Sequence, residues 1–423
     1  MKSLYPAAVP LRVDLPPSKS MAARAMFIDA VRGYAPAAPS GADCDDLRVL
    51  KTALIRLLAH RDAEINLEAS GTAMRFLTAF CAATPALRAR IRGCARLEER
   101  PMAPLIASLR GLGADVECLG APDCLPLEVR GVSMQGGEVR IDASVSSQFV
   151  SALLLVAPAM ERELTLRYPE GCAPPSQPYV DMTVRMMRAA GALVQPLPDG
   201  FRVAPGGYPE APPHPEADWS AAAAVYACVA LAPEGTEGAF ERLTPPERSA
   251  QGDSACASLF ARIGVLTEFN ASGGATIRRC SSPHPDTGIF EADMRRTPDL
   301  VPSLAVALAM RGIPFRFEGV GHLRYKESDR VAELAAGLRL LLPDFGEECR
   351  PDSWSVSPGA TLRNPGATPI HTAADHRIAM AFAPAAMRVG PLRLDDYECV
   401  GKSFPRFFEA VRPLISQHTL TLH

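Results

Sequence analysis

An α/β fold built from about six copies of one unit is what this sequence predicts, and three observations predict it. Six stretches run almost wholly into Ala, Val, Leu, Met and Phe behind a polar or proline-bearing start, and helices apolar all round are buried helices. Their starts are separated by roughly fifty to eighty residues, the kind of internal period that marks a repeated unit. Between them lie β-like runs and helices with one polar face, and that alternation is the pattern of α/β architecture.

Taken in order, the six stretches are LPPSKSMAARAMFIDA from Leu15, SGTAMRFLTAFCAA from Ser70, SSQFVSALLLVAPAM from Ser146, DWSAAAAVYACVALA from Asp218, TPDLVPSLAVALAM from Thr297 and DHRIAMAFAPAAM from Asp375. Each opens with Ser, Thr or Asp suited to an N-cap, or with Pro near the first helical position. ELTLRYPE and FRVAPG read as short strands, and IPFRFEGV is strand-like. YVDMTVRMMRAAGALV reads as an amphipathic helix ending at a glycine, and VAELAAGLRLLL as another. In ARLEERPMAPLIASLRGLGA, Pro101 is placed to open a helix, which puts Arg100 beside its N-terminus.

A chain of 423 residues, 48% hydrophobic, is long enough for two or more domains with ample core. The formal net charge of −3 supplies no global basic field, so nucleic acid is not an expected partner and any anion site is local. No apolar run reaches membrane-spanning length, and MKSLYPAAVPLRVDL has prolines and an aspartate where a signal peptide needs an apolar run, so a cytoplasmic protein without a membrane partner is expected. Eleven cysteines without a C-x-x-C pair suggest neither a disulfide framework nor a zinc ribbon; most are expected to be reduced core residues, and no metal is expected.

Polar and cationic residues recur at the helix starts: Lys19, Ser20 and Arg24; Thr72 and Arg75; Ser146, Ser147 and Gln148; Asp299; His376 and Arg377. A helix N-terminus already carries partial positive charge, so cations there work against the macrodipole and call for something negative in front of them. If the starts converge, they form an anion site of helix dipoles and guanidinium groups, suited to substrates with more than one phosphate or carboxylate. Lysine usage points the same way. Of 44 Lys and Arg residues only Lys2, Lys19, Lys51, Lys326 and Lys402 are lysines, and a point charge with a tunable pKa is not interchangeable with a planar fork. Lys19, Lys326 and Lys402 are therefore candidates, while Lys2 and Lys51 look like chance. HLRYKESDR, residues 322 to 330, adds Lys326, Glu327, Asp329 and Arg330; a helix beginning near Glu327 would put Lys326 and Arg330 about one turn apart. Lys and Glu side by side offer an acid and a base, and Arg330 a clamp for carboxylate or phosphate.

SKSMAAR, SGTAMR, LEERPM, SVSSQF, SQPYVD, TPDLVP, HLRYKESDR, DHRIAM and KSFPRFF occur in an order and at spacings that resemble the 3-phosphoshikimate 1-carboxyvinyltransferases, or EPSP synthases, over about Ser18 to Phe408. The resemblance implies a two-lobed enolpyruvyl transferase fold, an inside-out α/β barrel with three βαβαββ-type units per lobe around buried helices. One lobe would be residues 1–17 plus 218–423 and the inserted lobe 18–217, with the active site in the cleft between them. GGYPEAPPHPEAD and VDLPPS would be the hinge, and closure would exclude water. The implied reaction moves the carboxyvinyl group of phosphoenolpyruvate to the 5-hydroxyl of shikimate 3-phosphate through a tetrahedral intermediate and releases phosphate. It is a step of the shikimate pathway to chorismate and the aromatic amino acids, and uses no cofactor. Matched motif by motif, Lys19, Ser20, Arg24, Ser146, Ser147, Gln148, Ser176, Tyr179, Asp299, His322 and Lys326 would bind shikimate 3-phosphate. Lys19, Gly71, Arg100, Gln148, Arg330, Arg377 and Lys402 would bind phosphoenolpyruvate. Asp299, Glu327 and Lys19 would be catalytic, with Asp299 facing the hydroxyl and Glu327 the methylene. Glyphosate is an expected competitive inhibitor and a monomer the expected state.

Three positions depart from the family pattern: Ala69 where asparagine is common, Phe76 where proline is common, and His322 where many members carry asparagine. Two alternatives stand beside this reading. The sister UDP-N-acetylglucosamine enolpyruvyl transferases carry a reactive cysteine before a similar Arg-Pro, which draws attention to Cys94. A non-catalytic anion-binding homologue would keep the fold, but the intact Lys19, Asp299, Glu327, Arg330 and Lys402 set argues against it.

Overall fold

The computed structural model describes residues 11–144, 146–170, 174–281, 288–415 and 420–422. The first ten residues of the stretch read for a signal peptide, Lys2 among them, Val145 of the SVSSQF motif and Cys172 lie outside these residues.

The chain divides into two compact units, the first Met1–Ser18 with Glu216–His423 and the second Lys19–Pro215. Their secondary structure repeats one pattern: a strand, a helix, a strand parallel to the first, a second helix, then a hairpin whose last strand lies antiparallel to the second strand. In the second unit the strands Asp62–Asn66 and Arg88–Arg92 run parallel, and Leu127–Arg130 pairs antiparallel with Arg88–Arg92 and with Asp115–Cys118 at the edge. RARIR alternates as a half-buried strand must: Ala89 and Ile91 face the core, while Arg88 and Arg90 turn to the carboxylate of Glu128 on the neighbouring strand. The second sheet of this unit, Gly137–Arg140, Leu164–Arg167, Gly200–Val203 and Val194–Leu197, has the same order and directions.

In the first unit, Phe290–Asp293, Phe315–Glu318, Ser353–Ser357 and Gly346–Cys349 form one such sheet. The other begins at Leu11–Val13, which pairs parallel with Glu237–Phe240 and leaves the whole second unit inserted between that strand and its helix, Trp219–Leu231. The outgoing and returning segments are tied together by Ser18 N donating to Glu216 O at 2.7 Å and Asp218 N donating to Pro16 O at 2.9 Å. Among the described residues there are four four-stranded sheets and one two-stranded sheet, Leu392–Leu394 with Leu420–Leu422. All six expected helices form, and among the described residues a four-stranded sheet accompanies each repeat except those around Lys19–Val31 and His376–Phe382.

The apolar stretches are buried as their composition requires. Every residue of Trp219–Leu231, Val301–Met310 and His376–Phe382 is buried, and these three helices pack on one another as the centre of the first unit. Asp218 caps its helix by accepting from Ala221 N, and Asp375 caps His376–Phe382 by accepting from Arg377 N. In the second unit Lys19–Val31, Gly71–Ala82, Ser147–Val156 and Gln177–Ala189 pack together. Three local expectations are corrected. Asp299 lies in a 3-10 turn, Pro298–Leu300, that precedes Val301–Met310. The helix after HLRYKESDR begins at Arg330, capped by Asp329, because that carboxylate accepts from Ala332 N; Lys326 stands ahead of it. The helix after Arg100 begins at Ala103, with Pro104 rather than Pro101 in its first turn. Of the ten described cysteines, all free thiols, only Cys44, Cys81, Cys228 and Cys256 are buried, so most are not core residues. Among the described residues no helix is long and apolar enough to cross a membrane.

Candidate active site

In the first unit, three separate chain segments, around Asp299, residues 326–330 and residues 375–377, bring their charged side chains together around one buried guanidinium. Arg330, 1% exposed, donates from Nε to Asp375 Oδ2 at 2.8 Å, from Nη1 to Asp299 Oδ1 at 2.9 Å and from Nη2 to Glu327 Oε2 at 2.9 Å. Lys326 Nζ stands 3.6 Å from Asp299 Oδ1, and Arg377 Nη2 donates to Asp299 Oδ2 at 3.4 Å. Asp375 is fully buried and also accepts from Ser328 Oγ at 3.1 Å. A group of this kind holds only if each charge has its partner, since an uncompensated buried ion costs several kcal/mol. Lys402 lies in the 3-10 turn Glu398–Lys402, which packs against the helix that carries Arg377.

The electrostatics of this group are uneven. Burial alone would raise the Asp299 carboxyl, but Lys326, Arg330 and Arg377 overcome it and hold the group well below the ordinary range, against the opposing effect of Glu327. His322 is pushed down to about 3, by burial first and then by Lys326, so it is a neutral ring at physiological pH. Its Nε2 is buried and has no hydrogen-bond partner among the described residues.

The second unit assembles a smaller, two-part group. Gln148, in the first turn of Ser147–Val156, accepts from Arg75 Nη1 at 2.8 Å and donates to Thr72 Oγ1 at 3.0 Å, which fixes its amide between two residues of the helix Gly71–Ala82. Arg100 crosses Gly71 so closely that a Cβ there would lie 2.2 Å from Nη1, and Arg100 Nε is buried with no partner among the described residues. Arg24 lies 2% exposed and donates to Thr183 Oγ1, Ser151 Oγ, Tyr179 O and Ser20 O, which ties Lys19–Val31 to the helices Ser147–Val156 and Gln177–Ala189. All four acceptors are neutral oxygens, and burial lowers the guanidinium to about 10. Lys19 donates to Asp46 Oδ2 at 2.9 Å. Ser146 caps its helix by accepting from Gln148 N, Ser147 follows it, and Ser176 precedes Gln177–Ala189 with left-handed backbone.

The structure thus brings Asp299, Lys326, Glu327, Arg330 and Arg377 together, and Gly71, Arg100 and Gln148 together. Two expectations are modified. Lys19 and Arg24 have partners within the protein, Asp46 for one and four oxygens for the other, so the fold itself answers part of the charge assigned to substrates. Arg330 already holds three carboxylates, so the fold answers part of the charge assigned to phosphoenolpyruvate there as well. Asp375, Asp46, Thr183 and Ser151 escaped sequence reasoning; only Asp375 carried a signal, as the N-cap of DHRIAM. Phe76 has a packing role, edge-on to Phe27 at 5.4 Å and beneath Arg24 at 5.3 Å. Cys94 is exposed at the start of the short helix Ala95–Glu98.

The family model described as EPSP synthase (3-phosphoshikimate 1-carboxyvinyltransferase) matches residues 41–411. A 3-phosphoshikimate 1-carboxyvinyltransferase of Bacteroides fragilis is 34% identical over 417 residues, covering 96% of each chain. One of Syntrophobacter fumaroxidans is 32% identical over 444 residues, covering 98% of this chain and all of the other. The solved structure of EPSP synthase from Acinetobacter baumannii superposes with a TM-score of 0.69 over 98% of this chain and 96% of that one; at 21% identity it speaks to the fold alone.

Proposed function

The chain belongs to the EPSP synthase family, and from that premise we propose how its two groups of residues carry the family's reaction. It transfers the carboxyvinyl group of phosphoenolpyruvate to shikimate 3-phosphate in the shikimate pathway to the aromatic amino acids. The 5-hydroxyl attacks C2 of phosphoenolpyruvate while a proton goes to its methylene carbon; the tetrahedral adduct then loses a proton from that carbon and expels phosphate. The observation that carries the role assignment is the pair Asp299 and Glu327 on one guanidinium, Arg330. Asp299 accepts the hydroxyl proton and Glu327 serves the methylene.

A carboxylate held so firmly ionised is a weak base until something offsets its cations. Shikimate 3-phosphate and phosphoenolpyruvate do so: their negative charge beside Lys326, Arg330 and Arg377 restores proton affinity to Asp299 at the moment it is needed. Lys19, Ser20, Arg24, Ser146, Ser147, Gln148, Ser176, Tyr179, His322 and Lys326 hold shikimate 3-phosphate. His322 does so as a neutral ring whose unpartnered nitrogen suits a phosphate oxygen. Lys19, Gly71, Arg100, Gln148, Arg330, Arg377 and Lys402 hold phosphoenolpyruvate, Arg330 after Glu327 turns to the methylene. Competition by glyphosate at these residues, action as a monomer and a cytoplasmic setting are part of the same proposal and rest on the family resemblance.

The test is phosphate release from phosphoenolpyruvate, run in parallel with shikimate 3-phosphate and with UDP-N-acetylglucosamine. Release with the first alone supports the reading. Release with the second alone overturns it in favour of the sister activity, and binding without release makes the chain a non-catalytic homologue. Asp299→Ala and Glu327→Gln are each expected to lower turnover by orders of magnitude, and a near-normal rate in either removes that residue's role.

A further inference from the structure

Arg377 and Lys402 are assigned above to the same substrate, yet they belong to different segments, Arg377 to the helix His376–Phe382 and Lys402 to the 3-10 turn Glu398–Lys402. One carboxylate staples the two segments together a few residues upstream of both. Asp395 Oδ1 accepts from Thr372 N and from Thr372 Oγ1, each at 2.8 Å, and Oδ2 pairs with His371 Nδ1. The main chain joins beside it, with Ile370 N donating to Arg393 O at 2.8 Å and Asp395 N to Ile370 O at 3.2 Å. Thr372 is fully buried, so both of its donors need an acceptor within the protein, and Asp395 is that acceptor for both. From each side of the staple the chain leads to a site residue. The carbonyl of Thr372 accepts from Asp375 N at 2.9 Å, and Asp375 in turn accepts from Arg377 N at 2.9 Å and from Arg330 Nε at 2.8 Å. On the other side, Asp396 accepts from Cys399 N through Oδ1 and from Cys399 Sγ through its carbonyl, each at 3.1 Å, and so starts the turn that ends at Lys402. The two adjacent carboxylates of DDYECVGK thus serve different segments, and neither lies in a motif that carries the family resemblance.

We propose that Asp395 is a positioning residue for phosphoenolpyruvate: by holding Thr372 it fixes the spacing of Arg377 and Lys402, two of the cations assigned to that substrate. The inference rests on the reaction assigned above, and Asp395 acts in it only through those two side chains. An anion gripped by cations on two independently moving segments must order them as it binds, which weakens its affinity. A staple formed during folding removes that cost from the binding step. Small errors in such spacing matter, because a displacement of about 1 Å from a distant substitution can cost as much as about a hundredfold. None of the residues assigned to shikimate 3-phosphate lies on either stapled segment, so the effect is specific to one substrate.

The measurement is KM for each substrate, with the other saturating, for the native chain, Asp395→Ala, Asp395→Asn and Thr372→Val. Asp395→Ala is expected to raise KM for phosphoenolpyruvate about tenfold and KM for shikimate 3-phosphate by less than about twofold. Asp395→Asn keeps an oxygen for Thr372 and is expected to restore most of the native value. Thr372→Val, similar in shape, removes one of the two donors and is expected to raise KM for phosphoenolpyruvate about threefold. A general weakening of the fold would not single out one substrate. A native KM for phosphoenolpyruvate in Asp395→Ala, or equal rises for the two substrates, overturns the proposal, as does an Asn variant no better than Ala. If Asp395→Ala fails to fold, a native KM for phosphoenolpyruvate in Thr372→Val overturns it. Absence of turnover in the native chain instead overturns the assigned reaction.

Discussion

Removing the Asp375 carboxylate tests the electrostatic account of the first unit most directly. Asp375→Ala takes the partner of Arg330 Nε at 2.8 Å, a second contact to Nη2 at 3.4 Å, the acceptor for Ser328 Oγ and the cap on Arg377 N. Arg330 is 1% exposed, so water does not replace what is lost. Breaking a buried pair costs about 3–5 kcal/mol, and the lower end applies because Asp299 and Glu327 still hold the guanidinium. The lost cap adds about 1 kcal/mol, for a total near 4 kcal/mol. With a urea dependence of about 3 kcal/mol per molar for a unit of this size, the unfolding midpoint falls by slightly more than about 1 M. Tryptophan emission is the natural assay: both tryptophans of the chain, Trp219 and Trp354, are fully buried in the first unit, so their signal follows that unit and not the second. Asp375→Asn, which keeps the cap acceptor and loses the charge, is expected to fall between native and Ala. A fluorescence midpoint for Asp375→Ala within about 0.3 M of native would refute the reasoning.

Three other outcomes are expected. Gly71→Ala places a Cβ 2.2 Å from Arg100 Nη1, the far end of a flexible side chain, so the fold should survive while KM for phosphoenolpyruvate rises by about tenfold or more; an unchanged KM would remove Arg100 from that site. Thr183→Val takes the acceptor of Arg24 Nε at 2.7 Å and is expected to cost the second unit about 1–3 kcal/mol, read as faster amide exchange in Lys19–Val31; native protection there would contradict it. Cys94→Ser should turn over at the native rate, because that thiol is exposed and outside both groups of site residues, whereas a loss of more than about tenfold would revive the sister activity.

What the sequence disclosed and what it withheld divide along the distance between interacting residues. The six buried helices were legible because caps and apolar runs are local, and Asp218 and Asp375 perform the capping their positions suggest. The charged set Asp299, Lys326, Glu327, Arg330 and Arg377 was legible as motifs, but its centre was not. Asp375 stands 45 residues from Arg330, and nothing local says which guanidinium it meets. The same holds for Asp46 and Lys19, 27 residues apart, and for Thr183 and Arg24, 159 apart. Lysine scarcity was only a partial guide: Lys51, set aside as chance, forms a sheltered ion pair with Asp43. The six-unit pattern was read from its helices rather than its strands, because a buried helix announces itself in sequence, whereas a three-residue strand such as Leu392–Leu394 does not.

The insertion of the second unit between Leu11–Val13 and Trp219–Leu231 also orders events in time. On a ribosome the first strand emerges early, yet its partner Glu237–Phe240 follows more than two hundred residues later. Residues Lys19–Pro215 meanwhile contain all four strands of each of their sheets and can condense as each appears. Once they have, the ends they present are a hydrogen bond apart, at Ser18 and Glu216, and the search of the first strand for its partner becomes that of a short loop. The nascent chain thus builds its middle before it can close its beginning onto its end.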